Sequence, residues 1–242
     1  MTIHISPDYD HLSQHTADFI LSLIKNKPNA ILCFATGNTP VRAYQLFVDQ
    51  VKREKVNVSN IRFVGLDEWV GVPGNVRGSC KHFFQTELFS PLDINPANTF
   101  LFDGEAADLD AECVKMNGSL DKLGPIDLML VGIGPNGHIG FNEPGTPRNL
   151  SAHVSKLADQ TVVTGQKYFD NQMQLKYGLT LGLRNFIEAR EAIIMANGEG
   201  KANIIHQTVE GPDTIEIPST IIRHHRKGYL FLDKAAANKI TS

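Results

Sequence analysis

The sequence predicts an α/β fold: one doubly wound, Rossmann-like domain whose mostly parallel sheet carries helices on both faces. Three observations predict it. Short apolar runs alternate with longer runs at helical spacing, and right-handed crossovers between parallel strands put helices over both faces of a sheet. The run at 126–131 is apolar at nearly every position, as in a strand buried on both faces. Four polar stretches then follow strands rather than precede them: TGNTP after 30–35, DEW after 61–66, GIGPNGHIGFNEP after 126–131 and NGEGK after 192–196. Ligands of such sheets bind at the carboxyl ends of the strands. Four stretches on that edge point to one site.

In chain order, residues 2–5 predict a first strand. Residues 7–27 place Leu12, Phe19, Ile20, Leu23 and Ile24 close to helical spacing, with Ser6 positioned as the cap. Residues 30–35 predict a strand and 39–53 a helix with Pro40 in its first turn. A strand is expected at 61–66, a helix at 78–89, a short strand at 99–102 and a helix at 106–123, ahead of the central strand at 126–131. Past Pro147 the alternation weakens. Residues 165–175 predict a helix, 184–189 a short helix, 192–196 a strand, 201–209 a helix and 229–232 a last strand. With no internal repeat, low-complexity tract or linker, the 242 residues are expected to form a single domain, 1–242.

At 42% hydrophobic and 20% charged, the composition is that of an ordinary soluble protein. A net charge of -3 gives no reason to expect nucleic acid or an anionic membrane surface as partner. No apolar run approaches the roughly 20 residues of a membrane helix, and the first residues lack the layout of a signal peptide. Cys33, Cys80 and Cys113 are odd in number and widely spaced, which argues against disulfides and zinc. A cytoplasmic setting is expected, and a homo-oligomer is left open.

The densest chemistry lies at the end of the 126–131 strand. Gly132, Gly134 and Gly137 allow a sharp turn and close approach to a ligand. Asn136, His138, Asn142 and Glu143 follow within the same stretch. A plain connection needs turn formers, not an imidazole beside a carboxylate. His138 and Glu143 suit a base and its orienter. As metal ligands they lack a third and fourth partner at any recognisable spacing, so no metal is expected. Thr36, Gly37, Asn38 and Thr39 form a strand-to-helix turn, where free N–H groups and the helix dipole favour phosphate. Lys201 follows a similar glycine turn and could grip the same phosphate. Asp67 and Glu68 come directly off a buried strand; Asp67, the first, is the better candidate for acid–base work.

Together ATGNTP, LDEWVG, GIGPNGHIGFNEPG and NGEGK resemble, in that order, the glucosamine-6-phosphate deaminase and galactosamine-6-phosphate isomerase family. The wider group includes 6-phosphogluconolactonases, whose pattern after the histidine differs from GHIGFNEP; Glu143 favours the aminosugar enzymes. The resemblance implies that Asp67 moves a proton between C2 and C1 of the open sugar and that His138, oriented by Glu143, opens the ring. Some members carry a carboxylate where this chain has Asn136, a variation that would shift the pH optimum. Gly37, Asn38, Thr39 and Lys201 match phosphate positions, with Lys167 where some members have arginine; Thr36, Glu68 and Gly137 complete the expected substrate contacts. Regulated bacterial members use basic residues where this chain has His153 and Ser155. The resemblance therefore implies isomerisation with deamination of a glucosamine or galactosamine 6-phosphate, without metal or organic cofactor. A lactone hydrolase and a non-catalytic sugar-phosphate sensor are the alternatives. The GSC triplet at 78–80 is similar to galactosamine-type members and leans that way. Because regular alternation fails at 146–178, that segment is expected to be a lid, with Lys167 reaching the phosphate when it closes.

Overall fold

A computed structural model describes residues 1–241. Seven strands form one parallel sheet, in the order β1 (Thr2–Ser6), β10 (Gly228–Asp233), β9 (Glu191–Ala196), β6 (Leu128–Val131), β2 (Ile31–Phe34), β3 (Arg62–Gly65), β5 (Thr99–Phe100). From β2 the chain moves outward to β3 and β5, then crosses back to place β6 on the other side of β2. That reversal lies between β2 and β6, so the crevice opens at the ends of the two strands that precede TGNTP and GIGPNG.

Alternate side chains of each strand feed two cores. Leu32, Phe34, Leu128, Leu130, Ile193, Met195 and Phe231 pack against α1 (Tyr9–Asn26), α2 (Val41–Glu54) and α3 (Cys80–Phe84). Ile31, Cys33, Met129, Val131, Ala192, Ile194, Leu230 and Leu232 pack against α5 (Leu109–Leu123), α7 (Leu183–Glu188) and α8 (Ala202–Glu210). The apolar run at 128–131 thus has a plain cause: both faces of its strand are covered. Helix α3 continues through a π-helical stretch (Gln85–Phe89) into α4 (Ser90–Leu92).

The cap of α1 corrects the expectation of Ser6. Ser6 is the last residue of β1, in register with Asp233, while Asp8 accepts a hydrogen bond from the His11 N–H at 2.9 Å. Asp8 sits at the helix start, where its charge also suits the dipole.

A second, three-stranded antiparallel sheet was not expected. It pairs β4 (Asp67–Trp69) with β8 (Tyr177–Thr180), and β8 with β7 (His153–Lys156). One residue, Leu66, separates β3 from β4, so the chain leaves the main sheet and enters the small one at Asp67. The helix expected at 165–175 is also corrected. Helix α6 (Asp159–Gly165) lies earlier, a 3-10 turn (Gln166–Tyr168) follows, and the chain then runs irregularly to β8. Phe169 and Leu175 are both buried in the first core with no helix between them. No helix among the described residues is long and apolar enough to cross a membrane.

Candidate active site

A cavity of about 570 Å³ opens at the carboxyl edge of the main sheet, roofed by α6 and its 3-10 turn. Thr36, Gly37, Asn38, Thr39, Asp67, His138, Lys167 and Lys201 all line it. Four strand ends and the irregular segment therefore meet in one place.

The turn 36–39 leads into α2, which has no side-chain cap bond, so its first N–H groups are left for a ligand. Gly37 has φ +108°, and a Cβ there would come within 3.1 Å of the Tyr168 hydroxyl. The turn and the 3-10 segment thus approach each other in a way that a side chain would block. Lys201 donates to the Ile133 carbonyl at 2.6 Å. Burial, and then the neighbouring charge of Lys167, push its ammonium down to about 8. Two cations that line one cavity repel one another unless an anion lies between them. Helix α8, which Lys201 precedes, also lacks a side-chain cap bond.

Asp67 faces the cavity from the start of β4, and burial pushes its carboxyl up to about 7. A base poised near neutrality suits proton abstraction. Its neighbour Glu68 does not reach the cavity and is buried: its carboxylate accepts the N–H groups of Trp69 and Cys80 at 2.9 Å and of Lys81 at 2.8 Å. The expected substrate contact at Glu68 is replaced by a cap at the start of α3. Successive strand residues point to opposite sides, so one carboxylate of the pair turns inward.

His138 sits beyond the glycine turn, and Gly134 makes its position available. A Cβ on Gly134 would meet the imidazole ring at 2.2 to 2.4 Å, closer than atoms can approach. The His138 Nδ1 lies 3.5 Å from Glu143 Oε2 and 3.3 Å from the Thr161 hydroxyl. Asn136 donates to Glu143 Oε2 at 2.9 Å and the Ala158 N–H to Oε1 at 3.2 Å. Burial would raise the Glu143 carboxyl, but hydrogen bonding and charge from His138, with Thr161 and Asn136, outweigh it and bring the group to about 2. Glu143 and Asn136 stand behind the histidine rather than on the cavity wall. Gly137, with φ +85°, also lies off the wall; a Cβ there would strike Ile217 at 2.8 Å, and its carbonyl accepts the Ser219 N–H. In this position it packs the turn. Asn142 is buried and donates to the carbonyls of Ile139 and Leu181.

Thr161 and Tyr168 were missed in the sequence, and Cys80 was singled out only within the GSC triplet, not for its contact with Asp67. Each reaches the site from another element, far along the chain from the residue it contacts, and none belongs to a recognisable spacing. Among the described residues no group of three or more His, Cys, Asp or Glu side chains is arranged to hold a metal ion.

Comparison with known proteins adds to this geometry. The family described as glucosamine-6-phosphate isomerases/6-phosphogluconolactonase matches residues 7–231. A glucosamine-6-phosphate deaminase of Clostridium tetani is 36% identical over 241 residues, 99% of this chain and 100% of that one. One from a Thermoanaerobacter species is 33% identical over 99% of this chain and 95% of its own. A solved monomeric glucosamine-6-phosphate deaminase superposes with a TM-score of 0.96 at 32% identity, covering 99% of this chain and 100% of the other. The 6-phosphogluconolactonase of Trypanosoma brucei shares the fold, with a TM-score of 0.76 at 20% identity over 99% and 98% of the two chains.

Proposed function

The chain belongs to the family of glucosamine-6-phosphate isomerases and 6-phosphogluconolactonases, and from that membership we propose that it isomerises and deaminates a hexosamine 6-phosphate. The observation that carries this reading is the meeting of Asp67 and His138 in one cavity with two lysines and an uncapped helix start. His138 moves protons between the ring oxygen and the anomeric hydroxyl, opening the pyranose, while Glu143, Asn136 and Thr161 hold its ring. Asp67 takes the proton from C2 of the open aldehyde, giving an enol-like intermediate, and delivers it to C1. The amino group on C2 becomes an imine. Water hydrolyses this to the ketone of a ketohexose 6-phosphate and releases ammonia. The turn 36–39, Lys167 and Lys201 hold the phosphate, so that remote binding orients the reacting carbons.

Glucosamine 6-phosphate is the first substrate to test, since the relatives are named for it. The GSC triplet gives the galactosamine epimer little support, because its side chains are engaged within the protein. Ser79 Oγ donates to the Gly74 carbonyl and accepts the His82 N–H, and Cys80 is hydrogen-bonded to Thr36 and Asp67. The deciding experiment measures ammonia release from both epimers, with hydrolysis of 6-phosphogluconolactone run beside it. Ammonia from a hexosamine 6-phosphate is the expected result; lactone hydrolysis without it would overturn the reading. Asp67→Asn should lower turnover by about 10²–10⁴-fold with the fold intact, and His138→Gln should harm the ring-closed substrate most.

A further inference from the structure

Asp67 is held by very little. Among the described residues its carboxylate has one hydrogen-bond donor, the Cys80 thiol, 3.5 Å from Oδ1. Cys80 in turn accepts the Thr36 hydroxyl at 3.2 Å. Thr36 belongs to the turn that leads into the uncapped start of α2. A chain of two hydrogen bonds therefore runs from that turn to the candidate base, and its middle member is a buried cysteine.

Cys80 is firmly placed. Its N–H donates to the buried Glu68 carboxylate at 2.9 Å, and Ser79 caps the helix that it begins. Burial, and then the nearby carboxylates of Glu68 and Asp67, push its thiol well above the ordinary range. At neutral pH the group keeps its proton and stays a donor. It is also a weak donor. A strong donor would stabilise the carboxylate and blunt its basicity, whereas no donor would leave it free to rotate.

We propose that Cys80 is a positioning residue, whose thiol, braced by the Thr36 hydroxyl, orients Asp67 Oδ1 and leaves Oδ2 free for the substrate proton, tying the base to the phosphate turn. This rests on the reading of Asp67 as the base of hexosamine-phosphate isomerisation. Cys80 does not exchange a proton with substrate and forms no covalent bond. A bound phosphate that fixes the turn also fixes Thr36, and through it the angle of the carboxylate. An aminosugar lacking the phosphate leaves this chain slack, so the loss falls on turnover as well as on binding.

The test compares Cys80→Ala, Cys80→Ser and Asp67→Asn with the parent enzyme, following ammonia release from glucosamine 6-phosphate and galactosamine 6-phosphate across pH. Removing the donor destabilises the carboxylate, so Cys80→Ala should move the acid limb of the kcat profile upward by about half a pH unit. It should lower kcat by about tenfold while KM changes by less than about twofold. Cys80→Ser puts a stronger donor in place of the thiol and should move the limb below its original place. A merely structural role would affect melting temperature and would not move the limb in opposite directions in the two variants. Superimposable pH profiles for the parent, Cys80→Ala and Cys80→Ser overturn the proposal, as do equal shifts in the Ala and Ser variants. Should the Ala variant fail to fold, the Ser variant still decides: a limb moved below the original place supports the proposal, and a limb at or above it overturns it. Near-normal turnover in Asp67→Asn overturns instead the assignment of the base, an outcome separate from either.

Discussion

Asp67 and Lys201 carry opposite charges and share one difficulty, since both are ionisable groups kept from water. The Asp67 carboxyl is raised to about 7 by burial, so the folded protein holds a proton that the unfolded chain gives up near pH 4. Stability from that proton is complete below about pH 4 and is lost as pH rises through about 7. Turnover follows the reverse course, because the base acts as the carboxylate. The enzyme gains activity over the interval in which this site loses stability. Asp67→Asn abolishes the titration. Thermal melts should show it a few degrees more stable than the parent at pH 8 and little different at pH 4; parallel curves would refute the argument. For Lys201 the sign is simpler. Its ammonium is lowered to about 8 by burial and by Lys167, and the grip on phosphate needs the charged form. KM should climb as pH passes about 8, with kcat less affected. In Lys201→Arg, whose guanidinium stays charged, that climb should disappear from steady-state measurements.

At the level of elements, α3 starts where it does because a strand residue caps it. Glu68 on β4 accepts two N–H groups at the start of that helix. Glu68→Gln puts an NH₂ group where an acceptor is needed, leaving a buried N–H unpaired at a cost of about 1–3 kcal/mol. Urea denaturation should register the loss, and turnover should fall with it, because Cys80 opens the same helix beside Asp67. A variant with unchanged stability would show that the cap is dispensable. The same pair shows what a sequence can disclose. Two carboxylates after a buried run announce a site, and the two-residue period of a strand implies that they diverge; which one faces the ligand depends on β4 joining a different sheet. Helices α1, α2 and α5 were legible because a long amphipathic face repeats several times. Strands β4, β7 and β8 have three or four residues each, too few for a period to emerge. Asp67, His138 and the turn 36–39 were legible because strand ends in a parallel sheet are where ligands go. Thr161 and Cys80 were not, since contact across distant elements leaves no trace in spacing.

Across the whole molecule, the roof of the cavity is the part whose motion matters. Thr161, Thr164, Gly165, Lys167 and Tyr168 line the cavity from above, while β7 and β8 belong to a sheet; the lid expected at 146–178 is better drawn as the stretch between those strands. We expect hydrogen exchange with and without a phosphorylated hexitol analogue to show protection gained there and lost in Lys167→Ala; identical exchange in both states would make it a fixed roof. Gly165 is packed against the Trp69 indole, with a would-be Cβ at 2.7 Å, so closing motion has a definite stop. Where that stretch is anchored has a further consequence. Lys156 stands opposite Tyr177, and the Leu157 N–H donates to the Lys176 carbonyl at 3.0 Å. The roof therefore leaves and rejoins the protein at a single paired step, as the tip of one long hairpin, and β8 carries that hairpin onto the strand of Asp67. Such a loop is a cassette. Its residues can change without disturbing the register of the base, so substrate range can diversify there, save at Ala158 and Thr161, which brace Glu143 and His138 and bind the loop to the proton chemistry underneath.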